Sequence, residues 1–367
     1  MKRYKHLFEE LISFDNLLLA AEKAQNGKRS KPNVVQFMFN MEKELFRIQE
    51  ELRTQRYRPG AYNAFFILDP KKRLVSAAPF KDRVIHHALC NIIEPIFERS
   101  FIHDTYANRK GKGTHQAIIR YQEYASRYPY VLKCDIRKFF PSIDHELLKA
   151  ELRRKIACKK TLWLIDAIID ASNPQEEHIA YFAGDDLFTP YQRRRGLPIG
   201  NLTSQFWGNV FMSRFDHFVK EQLKAPGYIR YVDDFVLFAE SKAQLKEWKV
   251  AIDGYLDKFR LMLHPRKTQI YTTQSGVPFL GFRVFPYHRT VKKESVRRYT
   301  RNLRRKLRLR SQGLLSAQEL ENGLNSWLGH VRFGCSRRLE YRIYWYLCDK
   351  GVGLYTHPRG SWRVLEQ

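Results

Sequence analysis

Two adjacent aspartates, Asp233 and Asp234, lie between two short apolar runs in the stretch 228-YIRYVDDFVLF-238. The flanking residues predict two strands joined by a tight turn. Two carboxylates at one turn repel each other unless a cation lies beside them, so this pair could bind a metal ion. A solvated turn would have the same sequence, because Asp is a common turn residue. The hairpin alone leaves both interpretations open.

A third aspartate follows another apolar run. Asp135 comes shortly after Tyr130-Val131-Leu132, where a predicted core strand emerges, and by itself it would be interpreted as a strand-end cap. Three carboxylates together suit two Mg²⁺ ions, which prefer oxygen ligands and stabilise the attacking and leaving oxygens of a phosphoryl transfer. Three carboxylates brought together would therefore suit a two-metal nucleotidyl-transfer site.

Composition indicates the kind of partner. The 367 residues include 65 Lys and Arg against 38 Asp and Glu, giving a formal charge of +27, with 44% apolar residues. The apolar content is that of a globular protein, and the large positive charge indicates a polyanionic partner. Nucleic acid is a better candidate for that partner than a membrane surface. Five scattered cysteines without a C-x-x-C pair argue against a disulfide framework or a zinc knuckle. The absence of a spanning apolar run and of a secretory pattern predicts a cytoplasmic protein.

Hydrophobic periodicity predicts the elements that would position these carboxylates. Residues 1–60 indicate two amphipathic helices, 56–80 a strand hairpin, and 129–143 a buried strand that ends in a turn. Beyond about residue 292 the chain is basic and helical. Further helices are expected at 83–101, 144–172, 196–223 and 241–260.

Taken jointly, these motifs resemble a known family. Tyr231-Val232-Asp233-Asp234 resembles the Y-x-D-D box of reverse transcriptases, and Asp135 with Phe140 five positions on resembles their other palm motif. The resemblance covers about residues 55–345. It implies an RNA-directed DNA polymerase with an α+β right-hand fold: fingers, an antiparallel-sheet palm and an α-helical thumb.

The resemblance also implies boundaries. We expect an N-terminal helical extension at 1–55, fingers at 56–128, a palm at 129–286 and a basic helical thumb at 287–367. The palm would contain a fingers-side insertion at about 150–195.

Site residues carry over position by position. Asp135, Asp233 and Asp234, with the backbone carbonyl of Ile136, would hold two Mg²⁺ ions. Phe140 would be the steric gate that excludes a 2′-hydroxyl and so selects deoxynucleoside triphosphates. Further nucleotide contacts would be Lys81 and Arg83 on the triphosphate and Lys267 near the leaving group, together with Ile199, Gly200 and Gln205. Phe279, Leu280 and Gly281 would form the primer grip.

Two basic segments are candidates for template and product contacts. The stretch 291-VKKESVRRYTRNLRRKLRLR-310 has apolar residues three or four apart and basic residues elsewhere, as expected for a thumb helix that follows a phosphate backbone. The loop 109-RKGKGTH-115 is the second. The residues predicted to bind nucleic acid are Arg109, Lys110, Lys112, Arg297, Arg301, Arg304, Arg305 and Arg308.

The segment 196-GLPIGNLTSQ-205 departs from the commonest family pattern. Many reverse transcriptases have Gln where this chain has Ile199, and Pro where it has Gln205. The pattern Ile199-Gly200-x-x-x-Ser204-Gln205 resembles the reverse transcriptases of diversity-generating retroelements, which misincorporate opposite template adenine during mutagenic retrohoming. An apolar Ile cannot make the hydrogen bond that a Gln would offer, so the energy gap between correct and incorrect pairs should shrink.

Several alternatives remain open. The chain could be a group II intron-like, retron-like or defence-associated reverse transcriptase without adenine mutagenesis. A catalytically silent RNA-binding protein or a metal-dependent glycosyltransferase fits the motif set less well. The leading hypothesis implies template RNA, cDNA and deoxynucleoside triphosphates as partners, a small basic oligomeric accessory protein, no membrane, and a bacterial, archaeal or phage-encoded source.

Overall fold

The computed structural model describes residues 2–69, 71–173, 175–176, 179–356 and 360–365. The helices in these residues are α1 Phe8–Leu11, α2 Phe14–Gln25, α3 Pro32–Phe39, α4 Met41–Arg53, α5 Phe80–Glu98, α6 Thr114–Ala125, α7 Phe139–Ser142, α8 His145–Arg153, α9 Lys159–Asp170, α10 Thr189–Gln192, α11 Leu202–His217, α12 Lys242–Asp257, α13 Lys293–Ser311, α14 Ala317–Phe333 and α15 Arg337–Asp349. The strands are β1 Asn63–Ile67, β2 Arg73–Ala77, β3 Tyr130–Asp135, β4 Gly227–Tyr231, β5 Asp234–Ala239, β6 Gln269–Thr272, β7 Val277–Phe279, β8 Phe282–Val284, β9 Arg289–Val291, β10 Leu354–Thr356 and β11 Trp362–Val364.

The strands form four sheets. A four-stranded sheet has the order β4-β5-β3-β6, and a three-stranded sheet has the order β7-β8-β9. The antiparallel hairpins β1-β2 and β10-β11 form the other two. Helices combined with antiparallel sheets confirm the predicted α+β class.

The N-terminal region is more segmented than its periodicity predicted. Each of the two expected helices is broken in two, at Ser13 and at Asn40. Ser13 caps α2 by accepting a hydrogen bond from the amide of Asn16 at 3.3 Å, and a cap of this kind begins a new helix. The apolar spacing survives the breaks, which is why periodicity alone missed them.

By contacts the chain divides into two compact units. The first comprises Met1–Lys110, Lys133–Val236 and Lys246–Gln269, and the second comprises Gly111–Leu132, Leu237–Leu245 and Ile270–Gln367. In the described part of the chain, no helix has the length and apolarity needed to cross a lipid bilayer.

In the second unit, α13, α14 and α15 enclose a core that includes Leu303, Leu324 and Leu347. The β10-β11 hairpin packs on this core, an element that the basic, helical composition after residue 292 did not predict. Asn325 on α14 holds it through two 2.8 Å hydrogen bonds, donating its amide to the Trp362 carbonyl and accepting from the Trp362 N–H. Trp362 is thereby fixed in the core at 3% exposure.

Candidate active site

The aspartate pair lies at a two-residue turn between β4 and β5, as predicted. Val232 and Asp233 form the turn, and Asp234 begins β5. Val232 has φ 58°, a left-handed conformation that a β-branched residue adopts only under constraint. Its cost is of order 1–3 kcal/mol, so surrounding contacts must hold the turn in place.

Hydrogen bonds hold both peptide carbonyls of this turn. The guanidinium of Arg230 donates to the Val232 carbonyl at 3.1 Å, and the backbone N–H of Ile136 donates to the Asp233 carbonyl at 3.1 Å. The turn is therefore held by two groups, a side chain of its own strand β4 and a backbone N–H at the end of β3.

Arg230 itself is part of a buried network. Its Nε and Nη2 donate to the two carboxylate oxygens of Asp216, each at 2.7 Å, and both side chains are fully buried. Burial opposes the guanidinium charge, but Asp216 outweighs it, so the pKa of Arg230 is raised. The Tyr228 hydroxyl also donates to Asp216, and Asn209 on α11 accepts from Arg230 while donating to the Ala107 carbonyl.

Asp135 ends β3 beside a segment that folds back along it. The Asp135 carbonyl accepts from the His264 N–H at 2.7 Å, and the Arg137 N–H donates to the Met262 carbonyl at 2.9 Å. Lys133 and Asp135 are two positions apart, so they share a face of the strand, while Cys134 between them is buried. The structure thus brings Asp135 to the aspartate hairpin, as the sequence predicted.

Two lysines neutralise two of the three carboxylates. Lys267 Nζ lies 2.6 Å from Asp135 Oδ1, and Lys133 Nζ lies 3.4 Å from Asp234 Oδ1. Burial and, next, the charge of Asp135 raise the pKa of Asp233 to about 6. The site therefore concentrates negative charge, and burial together with the neighbouring carboxylates disfavours the ionised form of Asp233.

The donor set fits magnesium in chemistry. Carboxylate oxygens are its preferred protein ligands, and the raised pKa of Asp233 marks a place where a divalent cation would relieve repulsion. In the described residues no group of three or more His, Cys, Asp and Glu side chains is arranged to hold a metal ion. The pairing of Asp135 with Lys267 and of Asp234 with Lys133 is consistent with that finding.

A loop before α11 runs alongside the palm motif. The Gly196 N–H donates to the Ile143 carbonyl at 2.8 Å, and the Leu197 N–H donates to the Phe140 carbonyl at 2.9 Å. Phe139 is buried in the core, whereas Phe140 is only partly buried. This difference agrees with a packing role for Phe139 and leaves Phe140 accessible for the predicted steric gate.

The same loop is fastened to the β1-β2 hairpin. The Ile199 carbonyl accepts from the Ser76 N–H at 2.9 Å. Gly200 has φ 116°, and a Cβ there would lie 3.0 Å from Val75 Cγ1, so only glycine fits without displacement. Ile199 and Pro141 line a cavity of about 510 Å³ together with Phe66 and Lys72, whereas Gln205 is exposed in the first turn of α11.

The predicted triphosphate contacts lie at the start of α5. Lys81 is paired with Glu51 through its Nζ at 2.5 Å, and Arg83 Nε donates to the Ala78 carbonyl at 2.9 Å. Burial lowers the pKa of Arg83. Both side chains therefore have partners within the protein in this conformation, and their role toward a triphosphate stays a prediction.

The predicted primer grip is a turn in the second unit. Leu280 and Gly281 join β7 to β8, with φ 44° and 91°, the left-handed pair that a tight hairpin turn requires. Phe279 is fully buried, with its ring 5.3 Å from that of Tyr121. Phe279 is thus a core residue and Leu280 and Gly281 form the turn, while the contact of all three with a primer stays a prediction.

The predicted nucleic-acid contacts differ in exposure. The five α13 arginines predicted to bind nucleic acid are exposed, as is Lys110, while Lys112 is partly buried. Arg109 instead turns inward: its guanidinium pairs with Glu98 at 2.7 Å and donates to the carbonyls of Ile102 and Thr105. Arg109 therefore organises its own loop in this structure, a placement that composition could not indicate.

Sequence reasoning missed three residues that shape the site: Arg230, Asp216 and Lys133. One signal was available. Arg230 interrupts an otherwise apolar strand, and a charge there must be paired, which calls for a buried acid elsewhere. Nothing in the sequence indicated which of the 38 acidic residues would be that partner.

Arg230→Lys tests whether the network positions the turn. Lysine can keep the charge opposite Asp216 but cannot also hold the Val232 carbonyl and Asn209. We expect the maximal rate of nucleotide incorporation to fall about tenfold or more. Arg214→Lys is the matched control, since Arg214 pairs with Glu151 at an exposed position. A wild-type rate for Arg230→Lys, measured on folded protein, would refute the positioning role.

Asp233→Asn tests the electrostatic cost. Because folding raises the pKa of Asp233, its protonated form stabilises the folded state, and this contribution is fully present below pH 3.8. The contribution is lost as pH rises through about 6, where the side chain ionises in the folded protein. In EDTA at pH 7.5 the variant should therefore gain about 1–2 kcal/mol in free energy of unfolding, reduced from the full shift because the side chain is partly solvated.

At pH 4 this gain should largely disappear, and Asp253→Asn, at an exposed position on α12, should show none. Urea unfolding at both pH values measures it. An equal gain at pH 4 and pH 7.5 would contradict the electrostatic explanation.

Comparison with known families gives a match to the reverse transcriptase (RNA-dependent DNA polymerase) model over residues 69–284. The matched range begins within the turn of the β1-β2 hairpin and ends at β8. It contains Asp135, Asp233, Asp234 and the Lys267 that pairs with Asp135.

Curated relatives agree. Protein YkfC of Escherichia coli strain K12 is 25% identical over 69% of this chain and 72% of its own length. The COX1/OXI3 intron 1 protein of Saccharomyces cerevisiae is 21% identical over 65% of this chain but only 34% of its own. Nuclear intron maturase 1 of Arabidopsis thaliana is 28% identical over 26% and 13%.

The chain thus spans about a third or less of these two intron-named relatives. Because the family model matches more than half of the chain, and because that range holds the three aspartates at the hairpin and strand end where the motifs predict them, this chain belongs to the reverse transcriptase family.

Proposed function

We propose that the chain copies a template RNA into cDNA by nucleotidyl transfer at Asp135, Asp233 and Asp234. The observation that carries this proposal is the anchored turn, whose two held carbonyls present adjacent carboxylates beside the end of β3. The reverse transcriptase match over the same residues supports it.

Reverse transcriptases use divalent metal ions, and in this chain the three aspartates with the Ile136 carbonyl would be the ligands. Bound there, Mg²⁺ supplies the positive charge that stabilises the attacking and leaving oxygens. Lys267 and Lys133 already supply ammonium groups to two of the carboxylates. On nucleotide binding we assign Lys267 to the triphosphate, with Lys81 and Arg83 as further phosphate contacts.

Phe140 acts as the steric gate in this proposal. Its ring packs 5.2 Å from that of Phe139, and a Cβ on Gly208 would lie 3.5 Å from Phe140 Cε1. Helix α11 therefore supports the ring from behind, and a rigid ring rejects a 2′-hydroxyl better than a mobile one.

The finer proposal is a diversity-generating role with misincorporation opposite template adenine. It is supported by the Ile199-Gly200-x-x-x-Ser204-Gln205 pattern and by the position of Ile199 in a cavity wall between the β1-β2 hairpin and Pro141. An apolar side chain there packs without a hydrogen bond, which narrows the difference in binding between correct and incorrect pairs.

A second candidate is an intron-type reverse transcriptase without adenine mutagenesis. The names of two of these relatives favour it, since they describe an intron protein and an intron maturase. The two candidates share the chemistry and differ in error pattern, so products distinguish them.

The wider proposal keeps the remaining expectations. We propose an N-terminal extension at 1–55, fingers at 56–128, a palm at 129–286 and a basic thumb at 287–367, with the exposed arginines of α13 in contact with template and product strands. Template RNA, cDNA and deoxynucleoside triphosphates are the substrates and products, with a small basic oligomeric accessory protein as partner. We also propose a cytoplasmic location and a bacterial, archaeal or phage origin for the chain.

Primer extension on a defined RNA template with Mg²⁺, followed by product sequencing, tests both levels. We expect cDNA from the wild type and none from Asp233→Ala, with both proteins folded by circular dichroism. Errors concentrated opposite adenine would support the diversity-generating role, whereas faithful copying would leave the polymerase and remove that role. No cDNA, even with native RNA and partner, would overturn the polymerase.

Ile199→Gln isolates the proposed fidelity residue. Gln restores a hydrogen-bonding side chain in the cavity wall, so errors opposite adenine should fall about tenfold while the incorporation rate changes less. Ile179→Gln, an exposed isoleucine in the same unit, is the matched control. Identical error spectra for Ile199→Gln and wild type would reject this role.

A further inference from the structure

Helix α15 in the second unit exposes an unusual combination of side chains. We define the α15 stripe as Arg337, Arg338, Tyr341, Arg342 and Trp345, all exposed. Arg337, Tyr341 and Trp345 are four residues apart, and Arg338 and Arg342 form the neighbouring row. The stripe is separate from the α13 arginines to which strand binding was assigned above.

The two aromatic side chains are the strongest evidence that the stripe binds something. Tyr341 is 65% exposed and Trp345 is 67% exposed. Each aromatic ring offers a large apolar area that water solvates poorly. An ordinary solvated helix face would carry Lys, Glu or Gln at these positions.

The aromatic part of the α15 stripe is supported by packing against the core. The Trp345 ring makes an edge contact with Tyr344 at 5.8 Å, and Tyr344 contacts the buried Trp362 at 5.7 Å. Tyr341, Trp345 and Trp362 line a groove of about 400 Å³. A bound group would therefore meet aromatic surface that is already in position, at little cost in entropy.

The charge of the stripe is positive and uncompensated. Within the described ranges, no ion pair neutralises Arg337, Arg338 or Arg342, while the adjacent Glu340 is paired with Arg332. Three free guanidinium groups beside two rings match a polyanion that also carries flat apolar faces. Single-stranded nucleic acid has both properties, because its phosphates repeat and its bases are unpaired.

We propose that the α15 stripe binds single-stranded RNA, with bases stacked on Tyr341 and Trp345 and phosphates held by the three arginines. The two rings are about 6 Å apart along the helix axis, a span that successive bases of an extended strand can cover. The inference rests on the proposed function in one respect, since it takes the bound strand to be template RNA. A protein partner would instead have to supply three matching acids.

Fluorescence anisotropy with a 15-nucleotide U-rich RNA, and with a blunt RNA duplex of equal length, tests the stripe in the full chain. In the Tyr341→Ala/Trp345→Ala variant, affinity for the single strand should fall about tenfold or more, while duplex affinity should change less than about twofold. The Tyr341→Phe/Trp345→Phe variant should keep its affinity for the single strand, because base stacking needs only an aromatic ring. Tyr287→Ala, at 82% exposure, is the control.

The arginines have a separate signature. Arg338→Gln/Arg342→Gln should lower the slope of log affinity against log salt by about 1–2. Unchanged single-strand binding in the double-alanine variant would overturn the proposal and leave the stripe as a protein-docking surface. Equal losses on both probes would reject stacking.

Extension of a primer on a template with a one-nucleotide overhang separates this inference from the polymerase itself. Wild type that binds RNA through the stripe but extends nothing would refute the proposed function and keep the surface. Normal primer extension by a protein whose RNA binding does not depend on the stripe would keep the proposed function and refute the RNA-binding surface.

Discussion

The aspartate hairpin depends on one buried ion pair. Arg230 and Asp216 are both withdrawn from water, and desolvating two charges costs several kcal/mol unless geometry and further hydrogen bonds compensate. Here the pairing is bidentate, Tyr228 and Asn209 satisfy the remaining groups, and one guanidinium N–H is left over for the Val232 carbonyl. The Arg230 charge, which Asp216 must neutralise in the folded protein, thus also fixes the position of the turn that carries Asp233 and Asp234.

That arrangement resolves a local conflict. A left-handed Val232 and two adjacent carboxylates are each unfavourable, and within the hairpin Arg230 holds the Val232 carbonyl. Further compensation comes from α11, which supplies Asp216 and Asn209, and from the end of β3, which supplies the Ile136 N–H. Strain at the turn is therefore supported by elements distant in sequence, as expected where function and local preference disagree.

Sequence reasoning found what depends on local pattern. The aspartate hairpin, the strand ending at Asp135, the β1-β2 hairpin and the helices of the basic C-terminal region all follow from periodicity and turn chemistry. It could not find partners, since the pairing of Arg230 with Asp216 or of Lys267 with Asp135 is a product of the fold. For the same reason it did not indicate that tertiary packing turns Arg109 and Phe279 inward.

Gly200 links the loop before α11 to the β1-β2 hairpin, two segments that lie far apart in sequence. The space between its α-carbon and Val75 accommodates a hydrogen atom and no more, and the neighbouring Ile199 carbonyl is bonded to Ser76. A larger side chain at position 75 could not be accommodated by a smaller residue at position 200, because glycine is already the smallest, so it would have to move the whole β1-β2 hairpin and reshape the wall in which Ile199 sits. A smaller side chain at position 75 would not admit a larger residue at position 200 either, since the φ of 116° by itself favours glycine.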